Sequence, residues 1–199
     1  DYGELLFEIY MVFAKMELEE YEFTKKVEIC SWIIKVLYGE TFPFETLSPA
    51  GEDEKVWQLY VKLMETIADK QQISVGTGRE GERIRSILLA TYRYIKDPDM
   101  NIRFLAKEVL YMNEEHFGRV FLKNQKVKYS AYLLEIRISM AKELMEFKPD
   151  IKISELAQMI GYAPDGQYFS KAFKKIVEMT PTEYRDKIIE EYNKKTVMD

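Results

Sequence analysis

Polar and basic side chains recur in two short stretches of the sequence, each of which contains a pair of phenylalanines at helical spacing. The pairs are Phe117 with Phe121, and Phe169 with Phe173. Residues four apart share one face of a helix, so the phenylalanines form a packed face and the polar residues on the other faces of the helix point outward. The outward positions are Glu114, Glu115, Gly118, Arg119 and Lys123 in the first stretch, and Gly166, Gln167, Ser170, Lys171 and Lys174 in the second.

The chemistry that these side chains offer is recognition of base edges and phosphates in a DNA groove. Arginine can bind guanine with two hydrogen bonds, glutamine can do the same with adenine, and lysine or serine can hold phosphate. Arg119 and Lys171 are the strongest candidates. Asn113, in the preceding turn, and His116 complete the candidate set; His116 either donates to phosphate or packs partly buried beside Phe117.

Two carboxylates stand at the beginning of the first stretch. Glu114 and Glu115 are expected to repel phosphate unless they accept a hydrogen bond from the amino group of a cytosine. They therefore favour a second hypothesis, in which the chain is a non-enzymatic, all-helical interaction module that no longer binds DNA.

Each stretch is preceded by a short apolar helix and a turn, so the sequence contains one two-helix unit twice. Leu105-Ala106 and Leu156-Ala157 lie at matching positions. Ala106 and Ala157 are 51 positions apart, and Phe121 and Phe173 are 52 apart. A small alanine lets a second helix cross closely, as in a helix-turn-helix. The repeat therefore predicts two helix-turn-helix units, whose second helices are the recognition helices.

A third amphipathic stretch, over residues 132–145, connects the two units. A helix of about 18 residues there would be about 27 Å long, which suits two recognition helices in successive major-groove segments about 34 Å apart. Arg137 lies within this helix. We expect it to be structural, paired with an acid such as Glu108 or Glu155.

Residues 102–185 resemble the DNA-binding domain of AraC/XylS-type transcription regulators. The resemblance is carried by a connecting-helix motif, YLLEIR at residues 132–137 followed by AKEL at residues 141–144, and by a C-terminal signature. That signature is IGY at residues 160–162, YFSKAFKK at residues 168–175 and MTPTEYR at residues 179–185. It implies a seven-helix domain that binds double-stranded DNA as a transcription regulator, commonly an activator, with RNA polymerase as a candidate partner.

The chain departs from the family pattern at two kinds of position. Family members usually carry glycine after each recognition helix, where a left-handed residue is favoured, but here Lys126 and Glu178 occupy those positions. A non-glycine residue either costs about 1 kcal/mol in that conformation or requires a different cap. The segment 161–169 is also one residue longer than usual, which leaves open whether Gly166 or Gln167 faces the bases.

The amino-terminal third is predicted to be helical. Apolar residues recur every three or four positions from Leu5 to Leu37, with one gap of seven where Glu19 and Glu20 lie. This pattern indicates one long helix or two in tandem, which pack within their own domain or pair with a second copy. A loop over residues 38–53 precedes a helix over residues 56–72. This segment resembles the helical linker that follows a receiver domain in AraC-type response regulators, so we expect a receiver upstream of Asp1, absent from this chain.

Composition limits the other functions. Residues 1–78 contain 7 basic and 15 acidic residues, and residues 79–199 contain 22 and 19, so the net charge of -5 hides a basic carboxyl-terminal part. One cysteine and one histidine argue against a disulfide scaffold, a metal site or a nucleophilic enzyme. No signal peptide or membrane anchor is visible in the sequence, so we expect a cytoplasmic protein that needs no cofactor.

The glycines Gly76, Gly78 and Gly81 spell G-x-G-x-x-G. That motif binds a dinucleotide when it joins a strand to a helix, but here it follows a polar helix end. A flexible linker explains it better, with Thr77 and Glu80 capping the next helix. The sequence thus predicts an all-α chain with two parts: a helical linker or dimerisation segment over residues 1–76, and a seven-helix double helix-turn-helix domain over residues 77–199.

Overall fold

The computed structural model describes residues 1–42, 51–76, 78–163 and 166–196. Every regular element in those ranges is helical, which confirms the all-α expectation. The chain divides into two compact units, Asp1–Leu88 and Leu89–Asp199. None of the described helices is both long enough and apolar enough to cross a membrane.

The amino-terminal unit is built on three helices, α1 (Tyr2–Leu18), α2 (Phe23–Tyr38) and α3 (Glu52–Lys70). The α3 helix packs against both α1 and α2. At its centre the hydroxyl of Tyr60 donates to the carbonyl oxygen of Leu6 at 3.0 Å, and its ring contacts the rings of Tyr10, Phe13 and Trp57. The apolar stripe is therefore two helices in tandem, with the break marked by Glu20 at φ 54°.

The α4 helix (Gly78–Arg93) begins within the glycine motif. The motif joins α3 to α4, so the strand that a dinucleotide site requires is replaced by a helix. A Cβ atom at Gly81 would lie 2.6 Å from the carbonyl oxygen of Gly76, so close packing explains this glycine. Thr77, predicted to cap α4, and residues 43–50 of the predicted loop lie outside the described residues.

The carboxyl-terminal unit contains the repeated pair of helices. The α5 helix (Ile102–Phe104) continues into a π-helical turn (Leu105–Val109) and is followed by α6 (Glu114–Gln125), α7 (Tyr129–Phe147), α8 (Ile153–Met159), α9 (Gln167–Val177) and α10 (Pro181–Thr196). With α4 these make seven helices, as the family resemblance implied. The α7 helix packs against α6, α8, α9 and α10, so it is the central element of this unit.

The two phenylalanine pairs form the cores beneath α6 and α9. Phe117 and Phe121 are fully buried with ring centroids 6.3 Å apart, and the ring of Tyr129 packs edge-on against both at 5.0 and 5.1 Å. Phe169 and Phe173, also buried, lie 5.6 Å apart. Leu105, Ala106, Leu156 and Ala157 are all fully buried. The predicted repeat and its packed face are confirmed.

Arg137 is buried within α7, with 6% of its surface exposed. Its Nη2 donates to the carbonyl oxygens of Ile95 at 2.9 Å and Asp97 at 2.8 Å, and the guanidinium lies 5.4 Å from the ring centroid of Tyr162. Its structural role is confirmed, but the predicted pairing with Glu108 or Glu155 is wrong. The carbonyls lie just beyond the end of α4 and take the guanidinium's hydrogen bonds, whereas both glutamates are exposed.

Candidate nucleic-acid interface

The first recognition helix, α6, begins where Asn113 caps it. The Oδ1 of Asn113 accepts hydrogen bonds from the backbone N–H groups of Glu115 at 2.9 Å and His116 at 3.1 Å. These bonds satisfy two of the donors that every helix leaves unpaired at its N-terminus. The side chain of Asn113 thus has a structural task, and its contact with DNA stays a prediction.

The outward face of α6 brings several predicted residues together. Glu115, Arg119 and Lys123 are exposed at successive four-residue intervals. His116 is half-buried, which fits either of its two interpretations. Gly118 is also half-buried, and a Cβ atom there would lie 3.6 Å from Cδ1 of Ile102, an ordinary contact distance.

The second recognition helix, α9, begins differently. Gly166 precedes it at φ 63°, a left-handed conformation that suits glycine, and makes no side-chain cap. Gln167, Lys171 and Lys174 are exposed, and Ser170 is half-buried. Because Gln167 lies one turn before Lys171, these two side chains share an outward face. This placement favours Gln167 over Gly166 as the residue that faces the bases. Pro164 and Asp165, in the longer turn, lie outside the described residues.

The two helices correspond position by position when their phenylalanine pairs are matched. At the constant separation of 52, Glu115 matches Gln167, Arg119 matches Lys171, and Lys123 matches Lys175. Lys175 is exposed but was missed by sequence reasoning, although the repeat spacing alone would have found it. The exposed apolar side chains of Leu122 and Tyr168 were missed too, because each stands next to a core phenylalanine.

The electrostatic character of the two helices differs. The α6 helix carries two acidic residues in its first turn, Glu114 and Glu115, and two basic residues farther on, Arg119 and Lys123. The α9 helix carries three lysines, Lys171, Lys174 and Lys175, and no acidic residue. Glu114 also lies 3.9 Å from Nζ of Lys107. The positive charge that attracts phosphate is therefore concentrated on α9.

The turns of the two units explain why the repeat spacing shifts from 51 to 52. In the first unit the N–H of Met112 donates to the carbonyl of Ala106 at 2.7 Å, and in the second the N–H of Tyr162 donates to that of Ala157 at 2.8 Å. The first bond spans one residue more, which the π-helical turn accommodates. After this bond the second unit is two residues longer, because Tyr162 and Phe169 are seven positions apart whereas Met112 and Phe117 are five apart, so the net shift in spacing is one residue.

Both recognition helices end in a left-handed residue that is not glycine. Lys126 has φ 63° and Glu178 has φ 64°, and each donates its backbone N–H to the carbonyl four residues earlier. Lys126 also donates from Nζ to the carbonyl of Lys123 at 2.7 Å. Of the two alternatives that the sequence left open, a left-handed residue rather than a different cap is found at both positions.

Comparison with known proteins places this geometry in a family. A family described as a helix-turn-helix domain matches residues 85–187. The chain is similar to the transcriptional regulatory protein YesN of Bacillus subtilis, with 29% identity over 141 residues, which cover 71% of this chain and 36% of that protein. The chain thus spans about a third of the length of this relative.

Two further similarities agree with this match. The xylose operon regulatory protein of Haemophilus influenzae is 49% identical over 51 residues, which cover 26% of this chain and 13% of that protein. The C-terminal domain of AraT, a response regulator from Geobacillus stearothermophilus, shares the fold, with a TM-score of 0.50 and 24% identity over 55% of this chain and 88% of that domain. Since the family match covers more than half of the sequence, the chain belongs to the AraC-type helix-turn-helix family.

Proposed function

We propose that the chain is the DNA-binding part of a sequence-specific transcription regulator, and that α6 and α9 bind two adjacent major-groove segments. The observation that carries the proposal is the pair of matched outward faces, with Arg119 and Lys171 at equivalent positions above equivalent buried phenylalanines. The names of the relatives, which describe regulators, support it. As the family resemblance implies, we propose activation of transcription as the outcome.

The proposed contacts follow from side-chain chemistry. Arg119 binds guanine, Gln167 binds adenine, and Lys123, Lys171, Lys174, Ser170 and His116 contact phosphates. Gly118 and Gly166 let the backbone come close to the groove, and Asn113 holds the start of α6 in place.

A binding assay with the 199-residue chain tests the function. The duplex is the region upstream of the protein's own gene, titrated at several salt concentrations by gel shift. Arg119→Ala is expected to lose about 1–3 kcal/mol of binding free energy. Lys171→Ala is expected to lower the salt slope by about one unit. Arg103→Ala, at an exposed position on α5, is the matched control.

Two outcomes contradict the proposal. If both variants bind like the wild type at every salt concentration, α6 and α9 are not the recognition helices. If the wild-type chain binds duplex DNA more weakly than millimolar even at low salt, the alternative interaction module is correct.

We propose further that two copies associate through α2. Trp32, Val36 and Leu37 are exposed on this helix, with 63% of Trp32 accessible. Glu28 lies one turn before Trp32 and Lys35 lies one turn after it, so antiparallel pairing about Trp32 sets the glutamate of each copy beside the lysine of the other. Analytical ultracentrifugation is expected to show a dimer that Trp32→Glu dissociates; a wild-type monomer at all concentrations contradicts the proposal.

The remaining proposals concern the whole protein. We propose that the amino-terminal helices relay a signal from a receiver domain, that RNA polymerase is a partner, and that the protein acts in the cytoplasm, where chromosomal DNA is available. The helical core around Tyr60 fits a linker of this kind. Sequencing the reading frame upstream of Asp1 tests the first point, since any other kind of domain there contradicts it.

A further inference from the structure

At one pair of matched outward positions, α6 has the carboxylate of Glu115 where α9 has the amide of Gln167. We propose that Glu115 selects a cytosine in the major groove, so that the two helices require chemically different bases at equivalent places. This inference rests on the proposed function, because it specifies a base for the same DNA-binding surface.

The position of Glu115 suits contact with a base edge. It lies in the first turn of α6, two residues before the buried Phe117, just as Gln167 lies two residues before the buried Phe169. The N-terminal residues of recognition helices are the ones that reach base edges. The bond from its backbone N–H to Asn113 fixes the main chain, while the side chain is exposed.

Glu115, rather than Glu114, has a carboxylate available for DNA. Glu114 is half-buried and forms an ion pair with Lys107. Among the described residues, none pairs with the carboxylate of Glu115, and Arg119 follows one turn later on the same face. A bound duplex would therefore meet a carboxylate and a guanidinium side by side on α6.

The hydrogen-bonding capacity of the carboxylate determines the base. An ionised carboxylate only accepts hydrogen bonds. In the major groove, cytosine offers a donor amino group, whereas guanine offers two acceptors and thymine an acceptor and a methyl group; adenine has a donor beside an acceptor. Cytosine is thus the base that a carboxylate tolerates best. The amide of Gln167 both donates and accepts, which matches adenine.

The lysines of α9 allow α6 to carry this repulsive group. Lys171, Lys174 and Lys175 supply phosphate attraction that does not depend on sequence. A carboxylate on α6 weakens binding to every site that lacks a cytosine in register, and such penalties against wrong partners are a source of specificity. The site is therefore unsymmetrical, and the chain binds it in one orientation.

Selection from a random double-stranded DNA library tests the inference, with the 199-residue chain as it is and two variants. The wild type is expected to enrich a motif with cytosine at one position. Glu115→Gln is expected to change that position to adenine and to leave the others as they were. Glu115→Ala is expected to remove the preference at that position only. Glu135→Gln, an exposed glutamate on α7, is the matched control and is expected to keep the wild-type motif.

Binding to fixed duplexes that differ only at this position gives the size of the effect. The wild type is expected to prefer cytosine over thymine by about tenfold or more, and Glu115→Gln is expected to prefer adenine. Because the readout is the ratio between duplexes, a general gain in affinity from the lost negative charge does not imitate it.

Two outcomes distinguish a failure of the role of Glu115 from a failure of DNA recognition. If the wild type enriches a motif that Glu115→Gln and Glu115→Ala both reproduce at every position, the role of Glu115 is overturned while DNA recognition stands. If the wild type enriches no motif, the proposed function fails and this inference fails with it.

Discussion

Gly161 and Arg137 are packed so closely that a Cβ atom at Gly161 would lie 2.4 Å from Nη2 of the arginine. The same Cβ would lie 2.1 Å from the carbonyl oxygen of Ile95, which accepts a hydrogen bond from that Nη2. The turn of the second helix-turn-helix unit, the central helix α7 and the segment after α4 therefore meet at one buried guanidinium. This junction holds together the unit that carries both recognition helices.

Gly161→Ala is expected to destabilise the protein. The new methyl group would collide with backbone as well as with a side chain, and φ 81° at this position strains any residue with a Cβ. We expect a loss of at least about 2 kcal/mol of unfolding free energy, measured by urea denaturation. Gly118→Ala is the control, since Gly118 has an ordinary helical conformation and the new Cβ would only make a normal van der Waals contact with Ile102. Equal stability of the two variants would contradict the packing described.

Arg137→Lys is expected to destabilise the protein although it keeps the charge. The guanidinium donates to two carbonyl oxygens and lies over the ring of Tyr162, and a lysine ammonium does not reproduce that planar geometry. We expect a loss of about 2–4 kcal/mol in thermal or urea unfolding. Arg103→Lys, at an exposed position, should change stability by less than about 0.5 kcal/mol. An Arg137→Lys variant as stable as the wild type would show that these contacts are dispensable.

Glycine at the two left-handed caps is expected to stabilise the protein. Glu178→Gly relieves the steric cost of φ 64° and should gain about 1 kcal/mol. Lys126→Gly should gain less, because it also removes the hydrogen bond from Nζ to the carbonyl of Lys123. Lys148, which ends α7 at φ -135°, is the control position where glycine should bring no gain. A loss of stability in Glu178→Gly would contradict the cap assignment.

The stability of α10 is expected to fall in acid through Glu183. Its Oε2 accepts from the backbone N–H of Thr180 at 2.7 Å, and this bond, ahead of a hydrogen bond from the Thr180 side chain to the carboxylate, lowers the pKa of Glu183. The backbone N–H of Glu183 donates in turn to Oγ1 of Thr180 at 3.2 Å. A lowered folded-state pKa gives stability that is present above the ordinary glutamate pKa and is lost as the pH falls through the lowered value.

Glu183→Gln separates the charge from the hydrogen bond, since glutamine also caps helices. The wild type should be the more stable protein near neutral pH, and the difference should vanish as the pH falls below the lowered pKa of Glu183. Glu190→Gln, exposed on the same helix, is the control. A difference that persists unchanged into acid would mean that the carboxylate charge has no part in the cap.

Periodic features of the fold follow from the sequence, and irregular ones do not. The buried phenylalanine pairs and alanines recur at fixed spacings, so the sequence alone predicts α6, α9 and their outward faces. The left-handed Lys126 and Glu178 follow from the family's glycine positions. By contrast, the partners of Arg137 are backbone carbonyls, which no side-chain pattern marks.

Other local features also escape a sequence pattern. The π-helical turn at Leu105–Val109 absorbs one residue without breaking the apolar repeat, so the spacing does not reveal it. The cap formed by Asn113 depends on which residue begins α6, and that boundary is fixed by packing as well as by residue type. Lys175 differs from these features, because the repeat spacing of 52 matches it with Lys123 and so identifies it from the sequence.

Footprinting with base-methylation and phosphate-ethylation interference tests the central claim most directly, because it reports each contacted groove segment separately. The 199-residue chain bound to its selected duplex is expected to show two clusters of contacts on one side of the DNA, about 10 base pairs apart. Arg119→Ala should remove a contact from one cluster only, and Lys171→Ala a contact from the other. A single cluster, or loss from the same cluster in both variants, would contradict the assignment of two recognition helices.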